Sequence, residues 1–116
     1  MQEGGPLAEH HDLTILEQHM LLSILRQMPD AYGVSIRNEI RAKTGKDHSF
    51  GSIYAVLERL EDRGLVSSRE GEVTSSRGGR RKLYFEITGA GQRSLSASLC
   101  AVDALREGVR LVGAPA

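Results

Sequence analysis

A chain of 116 residues, 40% apolar and 26% charged, has room for one folded domain. Its few prolines exclude a proline-rich disordered chain, no apolar run approaches the roughly 18 residues of a membrane span, and a single cysteine, Cys100, fits a reducing cytoplasm. Fifteen cations balance fifteen carboxylates overall, yet residues 1–31 hold one cation against five carboxylates, residues 32–82 eleven against seven, and residues 83–116 three of each. Attraction to phosphate follows the field of one face, so zero net charge does not exclude a polyanion partner.

Residues 1–12 carry Glu3, Glu9 and Asp12, two glycines and a proline, and read as a flexible tail rather than a secretory or transit peptide. His10 and His11 are adjacent, so their side chains point apart, and no cysteine is near; neither a metal nor a cofactor is expected.

Thr14-Ile-Leu-Glu17 has capping-box spacing and predicts a first helix from Thr14 to Met28. Its apolar residues spread nearly right round the axis, more than one small core can cover, which points to a second subunit. Pro29-Asp30 breaks the chain. A second helix is expected from Tyr32 or Gly33 to Thr44, with Val34, Ile36 and Ile40 inward, Arg37, Arg41 and Lys43 outward, and Gly45 as its stop. Ser49 caps a third helix, in which Ile53, Val56, Leu57 and Leu60 form the inward stripe, and Gly64 ends it. Gly51, Ala55, Glu58 and Asp62 form the opposite pole, flanked by Ser52 and Tyr54.

The period then changes. Leu65–Arg69 reads as a strand, and Lys82–Ile87 as its partner with Leu83, Phe85 and Ile87 on one face. The polar hairpin tip between them ends in Arg77-Gly-Gly79-Arg80-Arg81-Lys82. Thr88 is expected to cap a last helix, although Gly89 and Gly91 weaken its first turn. Leu95, Leu99, Val102, Leu105, Val109 and Val112 approach a heptad seam. Packing against the first helix of the same subunit is one use for this seam; packing across a dimer interface is the preferred one.

Three helices followed by a two-stranded hairpin with a basic, glycine-rich tip make a mainly α chain, a winged helix-turn-helix with a C-terminal dimerisation helix. A helix fits the DNA major groove, and its N-terminal end reaches the base edges. Small and polar residues at the tip of the third helix permit close approach, whereas Glu58, Glu61 and Asp62 repel the backbone. The helix should therefore enter tip-first, with Arg59 as a long-reaching contact. The expected DNA-binding residues are Arg37, Lys43, Ser49, Gly51, Ser52, Tyr54 and Arg59 on the helices, and Arg77, Gly79, Arg80, Arg81 and Lys82 on the wing. The alternative for the wing cluster is a solubilising edge on an exposed hairpin, which Glu70 and Glu72 keep open. The dimer interface is expected at Ile15, Leu16, Leu21, Leu95, Leu99, Val102, Leu105 and Val109.

Gly51-Ser-Ile-Tyr54-Ala-Val-Leu57-Glu-Arg59-Leu60-Glu61-Asp-Arg-Gly64-Leu65-Val66 and Gly78-Gly-Arg80-Arg-Lys82-Leu-Tyr84-Phe-Glu-Ile-Thr88-Gly-Ala-Gly91, with Tyr32-Gly33 and Thr44-Gly45, resemble the PadR family of bacterial transcriptional regulators over residues 13–112. The resemblance implies a homodimer whose winged helices read a two-fold-related double-stranded operator and repress a nearby gene. The single short last helix is similar to the smaller PadR-like subgroup, in which first and last helices build the dimer. It implies a DNA-binding domain over 13–88, a dimerisation helix over 89–112 and a short tail over 113–116. Phe50 departs from the family pattern, which commonly has proline at that place. All five aromatics (Tyr32, Phe50, Tyr54, Tyr84, Phe85) lie outside the predicted first and last helices, so an aromatic drug sandwich lacks support; a small hydrophobic effector would sit among Leu, Val and Met.

An enzyme is the first competing class. No P-loop order and no Gly-x-Ser-x-Gly elbow occurs, His19 and His48 have no evident acid partner, and Cys100 is expected to be a buried thiol beside the seam, so no catalysis is expected. The second is a winged-helix protein–protein interaction module without specific DNA binding.

Overall fold

Local capping chemistry decides where each helix of the computed structural model begins. In α1 (Ile15–Gln27) the Thr14 hydroxyl accepts from the Glu17 amide at 3.1 Å, and Glu17 Oε1 accepts from the Thr14 amide at 2.8 Å, the reciprocal box its sequence forecasts. After the two-residue strand β1 (Ala31–Tyr32), α2 (Gly33–Thr44) opens where the Ser35 hydroxyl accepts from the Tyr32 amide at 3.0 Å, and it stops at Gly45 with φ +76°. In α3 (Phe50–Asp62) Ser49 Oγ accepts from the Ser52 amide at 3.1 Å. Strands β2 (Val66–Val73) and β3 (Arg81–Ile87) follow, and then α4 (Gly89–Arg106), whose cap Thr88 also donates to the Gly64 carbonyl at 2.7 Å. The structure describes residues 12–73 and 81–113. Most of the expected N-terminal tail, the last three residues of the C-terminal tail, and the tip bearing Arg77, Gly79 and Arg80 lie outside them.

The sheet is antiparallel in the order β1-β3-β2, with Val66 opposite Ile87, Ser68 opposite Phe85, and Ala31 also opposite Phe85. Strand β1 was not anticipated. Two residues carry no readable alternation, and only their pairing with β3 makes them a strand. Strand β2 runs four residues beyond its expected end, with a register shift between Glu70 and Val73.

Met20, Leu21 and Ile24 of α1, Ile36 and Ile40 of α2, Ile53, Leu57 and Leu60 of α3, then Leu65, Phe85 and Leu95, form one core. Each such side chain contributes about 1.5–3 kcal/mol by leaving water. One carboxylate lies inside: Glu17 is buried and pairs with Arg63, just past the end of α3, so α1 and α3 are locked together by charge as well as by packing. Gly91, read as a weakness of α4, is required there. A Cβ at that position would sit 2.1 Å from the Leu65 carbonyl oxygen, so only glycine lets α4 cross the start of β2 this closely.

Several expectations are corrected. Helix α4 ends at Arg106, not 112, because Gly108 adopts φ +78°; Val109 and Val112 are exposed but off the helix, and the seam stops at Leu105. Leu21 and Leu95, expected at an interface, are buried in the core of the chain itself. Val34 is exposed rather than inward; Leu83 shares its face of β3 with Phe85 and Ile87 but lies at the outer end of the strand and is exposed. Cys100, expected to be buried, is exposed, as is every position of α4 from there to Arg106.

Candidate nucleic-acid interface

Burying Ile53, Val56, Leu57 and Leu60 dictates what α3 shows on its other side. Gly51, Ala55, Glu58 and Asp62, spaced four, three and four residues apart, make the exposed pole, and Ser49, Ser52, Tyr54 and Arg59 are exposed beside it. The hydroxyls of Ser49 and Ser52 are engaged with each other at 3.1 Å. Tyr54 lies over Gly33, where a Cβ would come within 2.4 Å of the ring, so glycine at the start of α2 is what seats this tyrosine at the tip.

The wing stands beside this helix. Tyr54, Ala55, Glu58 and Glu61 of α3 and Leu83 and Phe85 of β3 line one open groove of about 480 Å³. Cations of the described part of the sheet rest on rings: Lys82 Nζ is 4.4 Å from the Tyr32 centroid, and the Arg69 guanidinium 4.8 Å from that of Tyr84. Arg69 also donates to the Pro29 carbonyl at 2.9 Å, so it ties the wing to the turn after α1. Lys82 is nevertheless exposed. Of Arg81, only its place at the start of β3, opposite Val73, is described.

Arg37 needs correction as a free contact. Its Nε donates to the His48 carbonyl at 2.6 Å, Nη2 is 2.8 Å from Asp47 Oδ1, and the guanidinium stacks 4.6 Å from the Phe50 centroid. The residue splints the loop that leads into α3 and thereby positions the helix tip. Asp47 neutralises part of the basic face that the sequence counted as free. Lys43 is exposed at the end of α2, with no ion pair among the described residues.

Two histidines meet behind this loop. Burial pushes the His19 imidazole below its ordinary 6.5, and the charges of Lys46 and His48 push the same way. His19 Nδ1 and His48 Nε2 have no hydrogen-bond partner among the described residues.

The expected interface residues divide. Leu16 and Leu99 are partly buried against the core, while Ile15, Val102 and Leu105 are exposed, Leu105 by 82%. Sequence reasoning missed Leu22 and Leu25, the half-exposed stripe of α1. Together with Leu95, Ser96, Leu99 and Cys100 of α4 they line an apolar groove of about 400 Å³. The all-round apolarity of α1 was the available signal; which side the core would take was not written in it.

The sequence matches the family described as "Transcriptional regulator PadR-like family" over residues 21–97. An uncharacterised protein from Lysinibacillus sphaericus is 36% identical over 86 residues, which cover 71% of this chain and 76% of that one. The fold is similar to a PadR family transcription regulator from Clostridium difficile (TM-score 0.69, 21% identity, 81% of this chain and 93% of that chain covered). It is also similar to Bacillus subtilis PadR, solved in complex with operator DNA (TM-score 0.61, 18% identity, 88% of this chain but 52% of that chain covered). No described helix is long and apolar enough to cross a membrane. With a winged helix of this layout and a family match over well above half its length, the chain belongs to the PadR-like family of transcriptional regulators.

Proposed function

We propose that the protein is a cytoplasmic homodimer that binds a two-fold-related double-stranded DNA operator and represses a nearby gene. The observation that carries this reading is the shared groove of α3 and β3: the exposed helix pole and the wing strand open on the same side, as two arms on one duplex require. The positive dipole end of α3 and the amides of its first turn favour phosphate, and Lys82 adds charge on the wing strand. Arg77, Arg80 and Arg81 supply the wing's basic tip, by their place in the sequence. In this reading residues 13–88 bind DNA and α4 pairs with α1 across the two-fold, which covers Ile15, Leu22, Leu25, Val102 and Leu105.

Similarity to a protein crystallised on operator DNA supports the same reading. A small hydrophobic effector would find its apolar lining in the groove of about 320 Å³ between α1 and α2, where Leu22 and Ile40 form the wall and His19 the polar handle.

A gel-shift salt series tests the DNA reading. Log affinity should fall linearly with log salt, with slope about −0.9 per phosphate neutralised, and replacing Arg80 and Arg81 by Ala should flatten that slope and weaken binding on every sequence alike. Salt-independent binding, or no binding at low salt, favours the protein–protein module instead. An unchanged slope in the double variant removes the wing from the mechanism.

A further inference from the structure

Resting on the DNA-binding reading above, we propose that Glu58 determines operator specificity, by selecting cytosine at one fixed position of each half-site. The helix tip itself carries few polar groups. Gly51 and Ala55 offer no hydrogen-bonding side chain, and the Ser49 hydroxyl is engaged with Ser52 and its amide, which leaves the Ser52 hydroxyl and the half-exposed Tyr54, seated over Gly33. Glu58 is the first long side chain on the exposed pole. It is exposed, and among the described residues it has neither a hydrogen bond nor an ion pair. The other carboxylates of this helix are placed differently: Glu61 accepts from Ser68 Oγ at 2.7 Å, and Asp62 is the last residue of α3, farthest from the tip.

A free carboxylate on a surface that meets a polyanion weakens contact with phosphate, so its gain must come from an amino group. In the major groove, cytosine presents N4–H₂ with only a C–H beside it, whereas adenine presents its amino group next to the N7 acceptor, whose lone pair repels the second carboxylate oxygen. Glu58 therefore accepts from cytosine N4. Against any other base it is left desolvated and unpaired, so it penalises wrong sites more than it strengthens the right one. Leu83 and Phe85 of β3 line the same groove as Glu58. Arg59, exposed on the adjoining flank, is the matching donor for a guanine.

The experiment selects duplexes from a randomised pool with the full-length wild type, Glu58→Ala and Glu58→Gln, each checked for native helix content by circular dichroism. The wild type should select a two-fold motif with one cytosine per half-site whose replacement costs on the order of 10- to 100-fold in affinity. The Ala variant should keep the rest of the motif, lose preference in that column, and bind random duplex several-fold more tightly. The Gln variant should move that column towards adenine, which an amide can engage at N6 and N7. If Ala selects the same motif with every column intact, or loses affinity equally for all sequences, the assignment to Glu58 is wrong while DNA binding stands. If even the wild type selects no motif, it is the DNA-binding reading that fails.

Discussion

Helices α3 and α4 each present a face that the fold leaves uncovered, and the two faces differ in kind. The pole of α3 is small and polar, with Gly51, Ala55 and Glu58 in line, and costs nothing in water. The distal half of α4 exposes Val102 and Leu105, and its nearer half shares an apolar groove with the half-exposed Leu22 and Leu25 of α1, surfaces that lose free energy for as long as water covers them. A polar face on a rigid helix suits a hydrated, charged partner; an apolar stripe suits another protein. On the proposed reading one chain divides its recognition between two ends, and the contrast can be broken by placing charge on the apolar end.

The largest effect is expected from Leu105→Glu. If α4 pairs across a two-fold, the new carboxylate is buried without a partner at a cost of about 3 kcal/mol or more. Sedimentation at micromolar concentration should show monomer, and operator affinity should fall at least 100-fold as half-sites are engaged singly; an unchanged dimer would move the interface elsewhere. Arg63→Ala comes next. It leaves the buried Glu17 carboxylate without its cation and should lower unfolding free energy by about 2–3 kcal/mol in a denaturant titration. Because the pair joins α1 to the end of α3, this variant should weaken stability while leaving site preference unchanged.

The smallest effect concerns His19. Its proton affinity is depressed in the fold by burial first, then by Lys46 and His48, so the unfolded chain takes up a proton near pH 6.5 before the folded chain does. This contribution to stability is fully present above that pH and is lost as the pH falls below it. Melting temperature should drop between pH 7 and pH 5, and His19→Gln should shallow the drop by a few degrees; identical pH profiles would show that the imidazole stays solvated.

What the sequence disclosed was local. The Thr14–Glu17 box, the Ser49 cap, the stop at Gly45 and the inward stripe of α3 depend on residues three or four apart, and each stands where its spacing placed it. What escaped depends on distant partners. Arg37 reads as a free cation until the fold brings Asp47 and Phe50 to it, and Leu21 reads as interface until the sheet claims it for the core. The end of α4 was misjudged for a different reason. Apolar spacing continued through Val109 and Val112, and the stop at Gly108 was not read.

Hydroxyl-radical footprinting on a selected duplex measures the central claim most directly, because it reports both arms and their two-fold relation at once. Two protected patches related by symmetry, with centres about 10 base pairs apart, are predicted. A single patch, or uniform protection along the duplex, would contradict the account.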